Sequence, residues 1–386
     1  MTVTLRLGFV PLVDAAPLIV AEAMGFAEEE GLALDLVGAP SWSSLRDLLA
    51  VGQVAGAQML APVPVALALG LGGPARFEVL SVLNLNGNAI GVSTALAARM
   101  QDHDFALSDA RAAGLSLLAA VEQRLRIGVP FAFSMHNELV RYWLEGLGVP
   151  LPQGLEIVTV PPPLMPDALA TGEVDAFCVG EPRGSVAVDR GAGVLLLPTS
   201  AIWAAAPEKV LAVRAGWAEA DPDLAGRLIR AIWRAGRWLG QAANLTVAGE
   251  VLAARLGVSA ELIERSLTGR LVIAADGAER FAPAFLRFDG GAAGFPWRSQ
   301  AAWIGARLGR RHGLNPLGAQ VIAAEVFRSD IYRLHLGPAG ADLPAASAKV
   351  EGSLLLPTPV ASSRGKLILP PDQFYDAQVF DPGLAG

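Results

Sequence analysis

The chain has 386 residues, more than one ordinary core accommodates, so its length predicts two domains. The composition is 53% hydrophobic, which predicts extensive burial. The formal net charge is −7 and Lys and Arg form no long run, which excludes the electrostatic footprint of a protein that binds nucleic acid or an anionic membrane. A small ligand or a protein partner is favoured.

Cysteine and histidine usage predicts neither a metal nor a cofactor. The single cysteine, Cys178, excludes an internal disulfide and a cysteine-rich metal site. The histidines are too far apart in sequence to form a local metal motif. They are His103, His136, His312 and His335.

The N-terminus enters a strand pattern directly and has neither a basic leader nor an apolar segment with a cleavage site. The uncharged stretch at residues 52–75 contains three prolines and a glycine pair, so it predicts a buried strand and helix instead of a membrane span. As written, the sequence therefore predicts a cytoplasmic protein.

The first part of the chain alternates between strand and helix patterns. The predicted elements are a strand at 4–10, a helix at 17–24 capped by Asp14, a strand at 32–37, a helix at 41–49 capped by Ser41, and a strand at 57–60. The following elements are a strand-like run at 79–92, a helix at 108–125 capped by Ser108, a strand at 126–133 and a helix beginning at Ser134. Such alternation is typical of α/β proteins with a parallel sheet.

The second part of the chain completes a second sheet and then becomes helical. Strands are predicted at 155–160, 174–179 and 194–197, and the returning strand at 209–214. A long helix at 221–240 and two shorter helices through Leu267 follow. From about Gly337 the composition shifts to Gly, Pro, Ser and Ala, which predicts an irregular wrap or partial disorder.

These patterns predict two α/β lobes on either side of a cleft. Lobe 1 comprises residues 1–91 and 209–386, with the helical part and the tail, and lobe 2 comprises residues 92–208. Ligands of open α/β sheets bind beyond the carboxyl ends of the strands, so residues directly after strands are the candidate binding residues.

Six short segments, in this order, carry a specific resemblance. They are LGFVPLVDAAPL (7–18), SWSSLRD (41–47), NGNAI (86–90), HNELVRYWL (136–144), FCVGEP (177–182) and PEKVL (207–211). Together they resemble the nitrate/bicarbonate substrate-binding family of ABC transporters over about residues 5–335. The resemblance implies a type II periplasmic-binding-protein fold.

The resemblance also implies what the protein does. Exported members of this family hand nitrate or bicarbonate to a permease, whereas a leaderless branch, the sensor NasS, holds an RNA-binding antiterminator of the NasT type until nitrate or nitrite arrives. The expected function is therefore a cytoplasmic nitrate/nitrite sensor with a NasT-like partner. The alternatives are a transport receptor whose leader is missing from this sequence, and an enzyme on the same clamp. The sequence shows no nucleophile with a base at usable spacing, which argues against the enzyme.

Carried over to this sequence, the family's anion pocket falls on Trp42, Asn88, His136, Gly180 and Lys209. Asn88 stands where nitrate receptors typically have Gln. Lys209 would supply charge, His136 and Asn88 directional N–H groups, Gly180 a close backbone N–H, and Trp42 a cover for a flat ion. The bicarbonate branch has a carboxylate at the position of Lys209 as part of a calcium site, so calcium-dependent bicarbonate binding is disfavoured.

Each of these residues also has an ordinary structural interpretation. Trp42 fits a core aromatic, and His136 fits a helix cap or a solvated position. Lys209 fits an edge strand with its side chain directed outward, while Gly180 and Asn88 fit turns.

Other groups favour structural roles. Cys178 lies in an apolar strand pattern, which favours inert packing. The carboxylates at residues 28–30 fit a solvated helix end. The helix with Trp233 and Trp238 fits a core stripe with a solvated basic side, so direct nucleic-acid binding is not expected.

Overall fold

A computed structural model describes residues 2–100, 107–121 and 124–383. His103 and residues 122–123 of the helix predicted at 108–125 lie outside the described residues. The predicted end of that helix is wrong, because the helix ends at Ala119 and a strand begins at Arg124. Within these three ranges, no helix is both long and apolar enough to cross a membrane.

The first sheet has six strands in the order β13-β4-β10-β3-β1-β2. Its strands are β1 (Val3–Phe9), β2 (Leu32–Gly38), β3 (Gly56–Leu60), β4 (Phe77–Asn86), β10 (Pro207–Arg214) and β13 (Leu286–Arg287). Strand β1 pairs in parallel with β2 and β3, whereas β10 runs antiparallel to β3 and β4.

The second sheet has the order β7-β6-β8-β5-β9. Its strands are β5 (Asn88–Ser93), β6 (Arg124–Val129), β7 (Gly154–Thr159), β8 (Ala176–Gly180) and β9 (Gly193–Pro198). Strand β6 is parallel to β7 and β8, and β5 is antiparallel to β8 and β9. The prediction of parallel sheets is therefore wrong for β5 and β10. The chain enters each of these strands from the other lobe. Each strand therefore begins at the cleft, where the strands on either side of it end, and it runs antiparallel to them.

Helices surround both sheets. In chain order they are α1 (Ala16–Ala23), α2 (Phe26–Glu29), α3 (Trp42–Ala50), α4 (Pro62–Ala68), α5 (Thr94–Ala97), α6 (Ala110–Ala119), α7 (Met135–Glu145), α8 (Met165–Ala170), α9 (Arg183–Asp189), α10 (Trp217–Ala220), α11 (Pro222–Leu239), α12 (Leu245–Leu256), α13 (Ala260–Thr268), α14 (Arg298–Arg311), α15 (Pro316–Ala324) and α16 (Ser329–Leu336). Two short ribbons add β11 (Arg270–Val272) with β12 (Glu279–Phe281), and β14 (Thr358–Pro359) with β15 (Ile368–Leu369).

Local capping explains where several helices begin. The hydroxyls of Ser41 and Ser134 accept backbone N–H groups at the starts of α3 and α7, as predicted. Asp109, not Ser108, caps α6. The predicted cap at Asp14 is also wrong, because Asp14 lies in a 3-10 turn and its side chain makes no cap bond to α1.

The chain crosses between the sheets at Gly87. The run predicted as one strand at 79–92 is two strands in different sheets, since β4 ends at Asn86 and β5 begins at Asn88. Gly87 has φ +97°, and a Cβ there would lie 2.6 Å from Leu286 Cδ1, so glycine is needed for both conformation and space. The division into residues 1–91 with 209–386 and 92–208 remains a prediction, and this crossing lies a few residues before its first boundary.

Helix α11 buries an apolar stripe, as predicted, and its arginines are paired. Arg230 Nε donates to Glu30 Oε2 at 2.8 Å, and Arg234 Nη1 donates to Glu29 Oε2 at 3.1 Å. Arg237 lies over the Trp233 ring at 4.9 Å. Two of the carboxylates predicted to be solvated thus form ion pairs with α11, which leaves little unpaired basic surface on this helix.

The tail beyond Gly337 is an irregular wrap that joins the two lobes. The Tyr375 backbone N–H donates to Ile202 O at 2.9 Å, and the Tyr375 hydroxyl donates to Trp143 O at 2.8 Å. The Tyr142 hydroxyl of α7 donates to Asp376 Oδ1 at 2.8 Å. This segment therefore contacts both the connection between the sheets and the second lobe.

Candidate functional site

The ends of both sheets meet at a buried polar cluster between the lobes. From the first lobe, the turn after β1 contributes Asp14, and β10 contributes Glu208 and Lys209. The N-terminal turns of α3 and α7 contribute Trp42 and His136. All five side chains are at most 2% exposed, so the cluster is closed off from bulk water.

Lys209 lies at the centre of an ion-pair network. Its Nζ is 2.8 Å from Asp14 Oδ2 and 3.0 Å from Glu208 Oε2, and it lies 5.6 Å from the centre of the Trp42 ring. Gln58 Nε2 donates to the other oxygen of Asp14. Strand β10 pairs on both sides, and Lys209 is fully buried, so the edge-strand interpretation is wrong.

The charges of this network are strongly coupled. Burial alone would lower the pKa of Lys209. The attraction of Asp14 and Glu208 outweighs the effect of burial, so the lysine pKa is raised. Burial raises the pKa of Asp14, and Lys209 and Gln58 only partly oppose this. Burial also raises the pKa of Glu208 to about 7, again against the attraction of Lys209.

His136 faces the same network from the second lobe. Its Nδ1 lies 4.0 Å from Glu208 Oε2. Burial and then the repulsion of Lys209 hold the His136 pKa well below its usual value, so the imidazole is neutral. A neutral imidazole offers one N–H donor and one acceptor. The solvated interpretation of His136 is therefore wrong.

Asn88 and Gly180 are paired in register at the cleft ends of β5 and β8. A Cβ on Gly180 would lie 3.2 Å from Asp14 Oδ2 and 3.5 Å from Asn88 Oδ1, so the missing side chain lets the lobes approach closely. Asn88 helps lower the pKa of Glu208, although its side chain makes no bond that meets hydrogen-bond geometry. Neither residue lies at the tip of a turn, because Asn88 opens one strand and Gly180 closes another.

Several polar atoms of the cluster are buried without a hydrogen-bond partner among the described residues. They are Asp14 Oδ2, Trp42 Nε1, Asn88 Nδ2 and Oδ1, both ring nitrogens of His136, and Glu208 Oε1. Buried polar groups are normally satisfied, and leaving several unpaired together is costly. The cluster therefore has spare donors and acceptors converging beside a buried cation, which suits a small polar ligand or anion.

The structure brings together all five residues that the resemblance selected, and it adds three polar side chains that sequence reasoning missed. The additions are Asp14, Gln58 and Glu208. Asp14 lies inside one of the recognisable segments and Glu208 directly precedes Lys209, so both positions carried a signal. Sequence alone does not show which side chains cross the cleft to meet the lysine.

The cluster offers neither a metal centre nor a reactive thiol within the described residues. No group of three or more His, Cys, Asp or Glu side chains there is arranged to hold a metal ion. Cys178 is fully buried, and burial followed by the nearby Glu208 raises its thiol pKa well above the usual value. A thiol in that state is a weak nucleophile, which agrees with the packing role predicted for it.

Two mixed sheets joined by crossing strands, with a buried polar cluster between them, define a substrate-binding protein of the type II periplasmic-binding fold. The predicted fold class is confirmed. The chain belongs to the NMT1-like family, whose model matches residues 2–253. The predicted resemblance to nitrate/bicarbonate substrate-binding proteins is confirmed by several relatives.

Three comparisons illustrate this kinship. The chain is 33% identical to the nitrate import ATP-binding protein NrtC of Synechococcus elongatus, covering 98% of this chain and 54% of that protein. It is 30% identical to the nitrate/nitrite binding protein NrtA of the same organism, covering 97% and 83%. The crystal structure of the periplasmic nitrate-binding protein NrtA from Synechocystis matches with a TM-score of 0.83 and 25% identity, covering 100% of this chain and 97% of that one. The chain thus spans about half the length of NrtC.

Proposed function

We propose that this chain binds nitrate or nitrite between its two lobes. The observation that carries the proposal is the set of unpaired buried donors on Trp42, Asn88 and His136 around the ammonium group of Lys209. The nitrate-binding relatives support the same ligand class.

Each of the five residues would have a distinct task. Nitrate is flat and weakly basic, so selective binding needs converging N–H donors, a positive charge and walls that exclude water. Lys209 would supply the charge, and His136 and Asn88 would donate to the oxygens. The Gly180 backbone N–H would approach closely, and the Trp42 ring would cover the ion.

The ligand would also hold the lobes together. Lys209 lies on a strand of the first sheet and Trp42 on α3, which packs against that sheet. Asn88 and Gly180 lie on strands of the second sheet, and His136 lies on α7, which packs against that one. An anion bonded to both sets adds contacts only when the cleft is closed, and a ligand shifts a conformational equilibrium by its difference in affinity for the two states. Anion binding would therefore favour closure.

Closure can serve two downstream roles, each favoured by a different observation. The names of the relatives favour a substrate-binding component of a nitrate transporter. The inter-lobe ion pairs of α14 and α7 form a surface that closure would reshape, as a cytoplasmic sensor that releases a NasT-type antiterminator requires. Arg311 Nη2 lies 2.6 Å from Glu138 Oε1, and Arg307 Nη2 lies 2.9 Å from Glu145 Oε2.

The proposed activity is binding without turnover, cofactor or metal. Calcium-assisted binding of bicarbonate is disfavoured, because Lys209 Nζ already pairs with both nearby carboxylates and would repel the cation.

Titration calorimetry of the chain with nitrate, nitrite and bicarbonate, the last with and without calcium, tests this proposal. We expect micromolar binding of nitrate or nitrite that does not depend on calcium. Absence of heat with all three anions would refute it. A pull-down with a NasT-type antiterminator, with and without nitrate, then separates the sensor from the transport component.

A further inference from the structure

The charges of the buried cluster do not favour an anion unless a proton is added. With both carboxylates ionised, Asp14 and Glu208 contribute two negative charges, Lys209 contributes one positive charge, and His136 is neutral. The cluster would then carry a net charge of about −1. A nitrate ion entering this closed space would meet a like charge where water cannot screen it.

The geometry selects Glu208 as the group that accepts a proton. Each oxygen of Asp14 faces a cation or a donor: Oδ2 lies 2.8 Å from Lys209 Nζ, although without hydrogen-bond geometry, and Oδ1 accepts from Gln58. In Glu208 only Oε2 has such a neighbour, at 3.0 Å from Lys209 Nζ, while Oε1 is buried without a hydrogen-bond donor among the described residues. A proton on Oε1 would cancel the excess charge and would leave the ion pair of Lys209 with Asp14 intact.

The groups that face Glu208 come from every element packed around it. Lys209 shares its strand, Asp14 follows β1, Asn88 opens β5, His136 opens α7, and the Cys178 thiol lies on β8. The thiol stays protonated and the imidazole stays neutral near neutral pH, since burial holds both away from ionisation. Burial raises the pKa of the Glu208 carboxyl to about 7, so this carboxyl gains a proton as the pH falls through neutrality.

We propose that the site takes up one proton with each nitrate and that Glu208 holds this proton, donating a hydrogen bond from its carboxyl group to the bound anion. The proposal rests on the anion binding proposed above and assigns Glu208 as a further specificity-determining residue. Nitrate carries only acceptor oxygens, so it pairs with a protonated carboxyl. A ligand with its own hydroxyl, such as bicarbonate, can instead donate to an ionised Glu208.

The sign of the pH dependence follows from the proton count. The complex holds one more proton than the free site, so raising the pH weakens binding. Below the free-site pKa of about 7 the proton is already present, and the Kd for nitrate is constant. Above it, the Kd rises by up to about tenfold for each pH unit.

The test is titration calorimetry of the full chain with sodium nitrate near pH 8, in two buffers of different ionisation enthalpy. The difference between the observed heats counts the protons taken up. We expect close to one proton for the wild type and close to none for Glu208→Gln, whose Kd should hardly change with pH. Infrared difference spectra should show a carboxylic-acid C=O band appearing with nitrate in the wild type and absent from the variant.

Glu181→Gln is the matched control. Burial raises the pKa of Glu181 to about 7 as well, but its Oε2 accepts from the Ser185 backbone N–H at 3.1 Å, away from Lys209. This variant should keep the one-proton uptake. Proton uptake by the wild type is measured without any variant, so it still tests the proposal if Glu208→Gln fails to fold.

The outcomes separate the two proposals. Nitrate binding without proton uptake would overturn the role of Glu208 while leaving the anion site in place. Proton uptake without the carboxylic-acid band, or uptake that persists in Glu208→Gln, would overturn the assignment to Glu208. Absence of nitrate binding at every pH would overturn the proposed function itself.

Discussion

Two lysines, one fully buried and one partly buried, have similar neighbours in this molecule, but the carboxylates around them differ in hydrogen bonding. Lys209, between the lobes, pairs with Asp14 and Glu208 and lies 5.6 Å from a tryptophan ring. Lys349, in the tail, pairs with Glu351 and Asp372 and lies 5.8 Å from a tryptophan ring. A lysine between two carboxylates is therefore not by itself the mark of a binding site.

The difference lies in what surrounds the carboxylates. In the tail, Ser299 Oγ lies 2.6 Å from Glu351 Oε1, and the Leu354 backbone N–H donates to Asp372 Oδ1 at 2.8 Å. Between the lobes, Glu208 Oε1 and both nitrogens of His136 have no such partner within the described ranges. The tail network is satisfied and structural, whereas the inter-lobe network keeps bonding capacity for a ligand.

Lys349→Met should produce the largest change in stability. It leaves Glu351 and Asp372 buried without their cation, in a tail that has no cleft to open and admit water. We expect the free energy of unfolding to fall by about 3 to 5 kcal/mol, measured by denaturant titration. Nitrate affinity should change little in the molecules that remain folded. A loss of nitrate-binding free energy larger than the loss of unfolding free energy would contradict the structural role of this cluster.

Lys209→Met should produce the largest change in binding. Removing the cation from a buried charged contact costs about 2 to 5 kcal/mol of binding free energy, so nitrate binding should become undetectable by calorimetry. The free energy of unfolding should fall less than in Lys349→Met, because opening the lobes lets water reach Asp14 and Glu208. Unchanged nitrate affinity would remove Lys209 from the site.

Asn88→Ala should have an intermediate effect on binding. The substitution removes one unpaired amide from the cleft end of β5, and a lost hydrogen bond to a charged group costs about 1.5 to 3 kcal/mol. We expect calorimetry to show a larger nitrate Kd and denaturant titration to show an unchanged free energy of unfolding. Asn88→Gln, which keeps the amide on a longer side chain, should still bind nitrate. Equal affinity in the alanine variant would exclude the amide as a ligand.

Tyr142→Phe should have the smallest effect. It removes the 2.8 Å hydrogen bond from α7 to Asp376 of the tail and keeps the ring. We expect a loss of about 1 kcal/mol in the free energy of unfolding, read from the denaturation midpoint. The nitrate Kd should stay close to that of the wild type. A marked change in Kd would mean that the tail also controls lobe closure.

The sequence selected five residues that the structure places close together, but it did not predict their environment. The ordered segments selected Lys209 and His136, but Asp14 was taken for a helix cap because a carboxylate before a proline-containing helix is a strong local signal. Its actual partners, Gln58 and Lys209, are distant in sequence, so only the folded sheet shows the contact.

The fold could be predicted as far as local patterns reach. Alternating elements identified both lobes, but the run at 79–92 is apolar except for Ser81, three asparagines and two glycines, so periodicity does not show that it divides at Gly87 between two sheets. The tail was predicted as irregular from its content of Gly, Pro, Ser and Ala. Composition gives no sign of a network such as Lys349 with Glu351, which depends on contacts in the folded chain.

A crystal structure of the protein grown with sodium nitrate would show directly whether nitrate binds between the lobes. We expect a flat, three-oxygen anion there, with its oxygens about 3 Å from Lys209 Nζ, His136 and Asn88. Nitrate bound elsewhere, or an inter-lobe cluster whose donors are satisfied by ordered water with nitrate in excess, would contradict it.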